Sequence, residues 1–262
     1  MFRLFKIVCR RITKWGIGDM NIPQIDTEQT GERIKPKTIS SAVVNRLPRY
    51  YRYLSELLLK YGKGDNDKND NNNNTENLRI SSRELSKLMN VTASQIRQDL
   101  NCFGGFGQQG YGYNIKQLHG EIGRILGVDR KFTAVVVGAG NLGKTISKSG
   151  LFIKRGVQLK ALFDINPDVI GTKIADICVM DIKNAADFCK ENKIDIAVLT
   201  LPKDETEPIA NMLAQAGVKG FWNFSNMELK IDKSNAGATV QNIHMGDSLM
   251  TLCYNLNNQN NQ

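Results

Sequence analysis

The 262-residue chain lacks any apolar run approaching the roughly 20 residues that a bilayer-spanning helix needs, so no membrane segment is expected. Its five cysteines (Cys9, Cys102, Cys178, Cys189, Cys253) are odd in number, scattered and without a C-x-x-C pair. That usage excludes a disulfide framework and points to a reducing, cytoplasmic setting. Histidine is scarcer still. His119 and His244 are the only two, and neither lies near a cysteine pair, so no metal ligand set is expected. Acidic residues are short in one half only. Residues 1–130 hold 21 Lys/Arg against 13 Asp/Glu, and residues 131–262 hold 14 against 13. The net charge of +9 is therefore concentrated ahead of residue 131. A basic segment joined to a near-neutral one predicts a polyanion partner, most often nucleic acid.

The second half is organised around Phe132-Thr133-Ala134-Val135-Val136-Val137 and the glycines that follow it. A β-branched apolar run of this kind reads as a buried parallel strand. Gly138, Ala139, Gly140, Asn141, Leu142 and Gly143 then give G-x-G-x-x-G, the spacing of a tight turn leading into a helix N-terminus. Free N–H groups and the helix dipole at such a turn favour a pyrophosphate. A second strand, 157–163, ends at Asp164, about 20 residues beyond the last glycine, where a dinucleotide fold places the carboxylate that receives the ribose hydroxyls. Asp164 would repel a 2′-phosphate, and Ile165-Asn166-Pro167 supplies no arginine, so NAD is expected over NADP. The chain then alternates: helix 142–154, an irregular strand region 174–180, helix 185–190, strand 194–200, helix 204–216, strand 218–222. This predicts a doubly wound parallel sheet. Thr200, Leu201 and Pro202 fall at its carboxyl edge, where the ligand crosses.

Ahead of the glycine motif, Val44, Leu47, Tyr51, Leu54, Leu58 and Tyr61 recur at helical steps, with Pro48 expected early in that helix or just before it. Residues 62–77 form an Asn-rich insertion with nothing to bury, read as disordered. Ser81 or Ser82 can cap a short helix carrying Leu85, Leu88 and Met89, and Thr92 can cap a second, 93–102. Two short helices joined by a few residues suggest a helix-turn-helix whose second helix offers Ser94, Gln95, Arg97 and Gln98 to DNA. The glycine- and aromatic-rich stretch 104–113, including Gln108, Gln109 and Tyr111, reads as a hairpin wing beside that helix. A connecting helix over 114–127 and a boundary at 129–131 follow. Residues 1–40, basic and apolar at their start, read as a mobile extension, and Met20 is an alternative start. The last helix, with Leu249, Met250, Leu252, Cys253 and Leu256 on one face, reads as core or as a surface for a second subunit.

Taken together these motifs resemble the Rex family of redox-sensing transcriptional repressors. The resemblance is carried by Asn45–Leu54, by Val91–Leu100, by Gly105-Phe106-Gly107 through Gly110–Asn114, and by Gly138–Gly143. Phe163–Pro167, Leu199–Pro202 and Gly220–Phe224 extend it, so that it spans about residues 40–256. It implies an α/β chain: an N-terminal winged helix-turn-helix (41–127), a Rossmann-like nucleotide domain (131–245), a C-terminal helix (246–256) exchanged in a homodimer, and a disordered tail (257–262). It further implies NADH and NAD⁺ as allosteric ligands and a palindromic operator contacted by residues that include Arg46. The family commonly has basic residues where Gln98, Gln108 and Gln109 stand, and often an aromatic at Ser149. Each lost phosphate contact lowers the salt slope of DNA affinity by about one unit. Two rival readings remain at this level. One is an NAD-dependent dehydrogenase with an accessory N-terminal domain, for which His244 is a candidate acid or base. The other is direct thiol sensing through Cys102, Cys178 or Cys253.

Overall fold

The computed structural model describes residues 40–62, 78–102, 107–108, 111–232 and 237–259. The expected extension before Ser40, nearly all of the Asn-rich insertion, Gln109 and the last three residues of the tail lie outside the described residues.

Helix α1 (Ser41–Gly62) forms on its apolar periodicity and fully buries Leu47, Tyr50 and Leu54. It runs straight through Pro48, further into the helix than the sequence suggested. Pro48 cannot donate to the Val44 carbonyl, but both residues lie on the exposed side, where that carbonyl is open to solvent. After β1 (Arg79–Ile80), helix α2 (Ser82–Met89) starts on a capping box. The Ser81 hydroxyl accepts from the Glu84 N–H at 3.1 Å, and the Glu84 carboxylate accepts from the Ser81 N–H at 2.8 Å. The helix stops at Asn90, which takes the left-handed conformation. Thr92 then accepts from the Gln95 N–H at 3.1 Å and opens α3 (Ala93–Asn101). Strands β2 (Gly107–Gln108) and β3 (Gly112–Asn114) complete an antiparallel sheet ordered β1-β3-β2. Helix α4 (Ile115–Leu126) is capped by Asn114, and closes a core with Leu85, Met89, Ile96 and Leu100. This is a winged helix-turn-helix.

Among the described residues Asp99 is the charged side chain that this core buries completely. The Arg46 guanidinium forks onto it with two bonds of 2.7 Å, the Tyr50 hydroxyl donates at 3.0 Å and the Gln95 amide at 2.8 Å. The network ties α1 to α3.

A 3₁₀ turn (Val128–Arg130) leads to β4 (Phe132–Val137), the centre of the second sheet. Chain order then gives α5 (Asn141–Lys148), α6 (Leu151–Lys154), β5 (Val157–Asp164), β6 (Lys173–Ile174) and β7 (Ile177–Asp181). Next come α7 (Ala185–Glu191), β8 (Ile196–Leu199), α8 (Lys203–Gln215), β9 (Gly220–Asn223), β10 (Thr239–Asn242) and α9 (Met245–Gln259). The strand order is β10-β9-β8-β4-β5-β7-β6, parallel except for the β6–β7 hairpin, which turns on left-handed Ala175 and Asp176. Both faces of the central strands are covered, which is why Val135, Val136 and Val137 form an unbroken apolar run with no exposed area. After β7 the chain crosses to the other side of β4, so the switch point lies between β4 and β8. Two local expectations need correction. The single helix expected over 142–154 breaks at Gly150 (φ 66), where the Ser149 hydroxyl donates to the Ile146 carbonyl at 2.7 Å. Edge strand β10 was not anticipated, because its residues are half exposed and carry no apolar run.

Burial opposes the Asp99 charge, but the bonds from Arg46, Gln95 and Tyr50 outweigh it and hold the carboxyl below the usual aspartate range. The stabilisation is therefore complete above an unfolded value of about 4 and fades as the pH falls through the lowered folded value. Asp99→Asn is expected to cost about 2 kcal/mol in urea unfolding at neutral pH, with the difference from the parent shrinking in acid. An equal deficit at all pH values would mean that the network's charge is immaterial.

Candidate dinucleotide site and DNA-reading face

The turn after β4 is built from what its glycines leave out. Gly138 (φ 98) packs so tightly on the end of the neighbouring β8 that a Cβ would stand 2.6 Å from the Thr200 carbonyl oxygen. The Thr200 hydroxyl in turn reaches the Gly138 carbonyl at 2.8 Å, pinning the end of β8 to the turn. At Gly143 a Cβ would fall 2.0 Å from the Gly138 carbonyl oxygen, so α5 can approach β4 only without a side chain there. Gly140 differs from both. Its φ of −70 and ψ of −170 suit any residue, and a Cβ there would meet nothing within 4 Å. None of the described residues requires glycine at 140, and the space that its missing side chain leaves stays open.

That space opens on the N-terminus of α5, where Gly140 is the N-cap and no side-chain hydrogen bond caps the helix. The N–H groups and dipole there suit an anion. Beside it, at the end of β5, Asp164 accepts from the Ala139 N–H at 2.6 Å and from the Asn166 N–H at 2.8 Å. Its carboxylate is thus held against the glycine turn. Gly138 to Gly143, Asp164 and Thr200 converge at the carboxyl ends of β4, β5 and β8, and Leu201-Pro202 continue along that edge into α8. These residues fit a dinucleotide: backbone donors for a pyrophosphate, open room over Gly140, and a carboxylate for ribose hydroxyls. Among the described residues no group of three His, Cys, Asp or Glu is placed to hold a metal ion.

On the same edge lies a polar network that was not read from the sequence. Buried Asn223 donates to Asn242 at 2.9 Å, Asn242 donates to Glu228 at 2.7 Å, and His244 lies 3.0 Å from Glu228. The signal was present in the polar residues Asn223, Ser225, Asn226 and Glu228 after β9. His119 is accounted for as a packed residue. Its ring stacks on Tyr51 at 4.3 Å, and burial holds its pKa below the ordinary value.

On α3, Ser94, Arg97 and Gln98 are exposed, and Arg97 donates to Ser82 at 3.2 Å. Tyr111, in the turn just before β3, is 70% exposed. Arg46 and Gln95 are committed to Asp99, so their orientation is set before any DNA arrives. Gln108 lies in β2, and Gln109 lies outside the described residues.

The glycines separate binding from folding. Gly140→Ala should leave thermal unfolding unchanged yet weaken NADH at least 10-fold, about 1.4 kcal/mol, measured by cofactor fluorescence. Gly143→Ala should lose both stability and binding. Unimpaired NADH binding by the Gly140 variant would remove the cradle from the account.

Two family models match the chain: "CoA binding domain" over residues 129–227 and "Putative DNA-binding protein N-terminus" over 71–101. Among curated proteins, the redox-sensing transcriptional repressor Rex of Thermoanaerobacter sp. (strain X514) is 49% identical over 225 residues, covering 86% of this chain and 92% of that one. Rex of Clostridioides difficile (strain 630) is 51% identical over 218 residues, 83% of this chain and 95% of its own. Among solved structures, RSP in complex with beta-NAD+ and operator DNA superposes with a TM-score of 0.72 at 48% identity, covering 86% of this chain and 95% of that one. RSP in complex with beta-NADH gives 0.71 at 46% identity, covering 86% and 97%. At this identity over this share of its length, the chain belongs to the Rex family of redox-sensing transcriptional repressors.

Proposed function

We propose that the protein represses transcription from operator DNA and leaves it when NADH occupies the open space over Gly140, so that transcription follows the NADH/NAD⁺ ratio. The observation that carries this reading is the pairing, in one chain, of a dinucleotide cradle left open at Gly140 with a helix-turn-helix whose second helix exposes Ser94, Arg97 and Gln98. In this assignment residues 41–127 read DNA, with Arg46, Gln95, Gln108, Gln109 and Tyr111 among the contacts, and residues 131–245 hold NADH or NAD⁺. The setting is the cytoplasm, where a DNA operator would be met.

The operative form is a homodimer. Helix α9 buries none of its residues, and Met245, Leu249, Met250, Leu252, Tyr254 and Leu256 are each more than half exposed. A single chain gains nothing from such a helix. A cavity of about 350 Å³ lined by Leu151, Phe152, Val157, Ile196, Val198 and Trp222 supplies an apolar seat for the helix of a second copy. Exchange of α9 sets two winged helices at a fixed separation, which an operator with two half-sites reads as spacing. NADH acts only by preferring the arrangement that misfits DNA, since equal affinity for both arrangements shifts nothing. A coupling of about 2 kcal/mol changes operator affinity roughly 30-fold. A dehydrogenase is disfavoured: His244 is tied to Glu228, His119 is packed under Tyr51, and the curated relatives are repressors.

The test is a gel shift on a palindromic operator duplex with NADH and NAD⁺ titrated separately. Release by NADH at concentrations where NAD⁺ leaves the complex intact is expected. Indifference to both, or consumption of NADH with small carbonyl compounds, would overturn the assignment.

A further inference from the structure

The cradle and the DNA-reading elements are joined by a short linker. Helix α4 ends at Gly127 (φ 69), the Val128–Arg130 turn follows, and Lys131 (φ 52) precedes β4. Two left-handed positions around one tight turn fix the direction of the chain more than a free tether would. The turn between α6 and β5 presses on this linker. Gly156 (φ 70) sits there with its backbone so close to Val128 that a Cβ would lie 1.8 Å from the Val128 carbonyl oxygen. Among the described glycines that is the closest approach to any backbone atom, closer than the 2.0 Å at Gly143. Beside it the Arg155 guanidinium lies 6.0 Å from the centre of the Tyr51 ring in α1. A cavity of about 320 Å³, lined by Pro48, Tyr51 and Arg52 on one side and Arg155 on the other, leaves room between the two parts.

This turn is continuous with the cradle. Helix α5 begins at the open space over Gly140, gives way to α6 at Gly150, and α6 ends at Arg155. We propose that the Gly156–Val128 contact is the stop that sets the angle of the DNA-reading head, and that displacement of α5 in the cradle reaches the head through it. The proposal rests on the functional reading above and names the residues that transmit it. The contact is backbone against backbone, with no flexible side chain to absorb a shift, and packed interiors pass displacement on instead of compressing. The cavity gives the head space to tilt. The Arg46–Asp99 fork makes α3 follow α1 when it does. Gly156 lies outside both the glycine turn and the exposed face of α3, so the role assigned to it is that of a positioning residue.

The test uses the full chain carrying Gly156→Ala, with Gly217→Ala as its control. The control also imposes left-handed strain (φ 101), but it lies after α8, off the path from the cradle to the linker, and its added Cβ meets nothing within 4 Å. Operator affinity is read by fluorescence anisotropy with and without saturating NADH, NADH affinity by cofactor fluorescence, and folding by thermal unfolding. The Gly156 variant is expected to bind NADH like the parent while its operator affinity changes less than about 5-fold, against roughly 30-fold for the parent and the control. A Gly156 variant that responds like the parent overturns the proposal. So does a control that loses the response equally. If Gly156→Ala does not fold, Arg155→Ala removes the turn's contact with Tyr51 and leaves the backbone unstrained; a weakened response supports the stop, and a full one overturns it. A parent that itself ignores NADH overturns the functional reading, a result distinct from either.

Discussion

The structure depends on how closely α5 approaches the end of β4. That approach leaves no space for a Cβ at Gly143 or Gly138, and it brings the Thr200 hydroxyl onto the turn from β8. Three elements therefore meet at one point on the carboxyl edge of the sheet, beside the switch in strand order. The same closeness exposes the first N–H groups of α5 to the space over Gly140 and places the Asp164 carboxylate beside them. Anion attraction at the helix end and hydrogen bonding at the carboxylate are consequences of this packing. They are not separate devices.

Information leaving that point has to travel through backbone. The head is internally rigid: its core is packed, and Asp99 locks α1 to α3 with three hydrogen bonds, two from Arg46 and one from Tyr50, while Gln95 holds the carboxylate from within α3. A rigid head can change its fit to DNA only by turning as a unit. Its connection to the sheet is one short linker pressed by Gly156, so a small change near the nucleotide becomes a rotation at the wing. In the dimer proposed above, exchange of α9 converts rotation into a change of spacing between two heads, and spacing is what two half-sites measure.

Much of this was legible in the sequence. The G-x-G-x-x-G spacing and Asp164 located the tight turn and the carboxylate beside it, because close packing and left-handed backbone leave so few residue choices. The caps at Ser81 and Thr92 and the apolar steps of α1 placed the head for the same reason. What escaped notice depended on pairs far apart in the chain. Arg46 and Asp99 look like a surface arginine and a helix-face aspartate until α1 and α3 are packed together. Gly156 looks like an ordinary turn glycine until Val128 is set against it. The break at Gly150 and the edge strand β10 have weak local signals, since a single glycine interrupts little periodicity and a half-exposed strand needs little apolar character.

The central claim is a thermodynamic linkage between nucleotide and DNA, and linkage is reciprocal. The most direct measurement is calorimetric titration of the dimer with NADH in the absence and presence of saturating operator duplex. The account predicts that operator weakens NADH by the same factor by which NADH weakens operator, on the order of 30-fold. An NADH affinity unaltered by bound operator would contradict it.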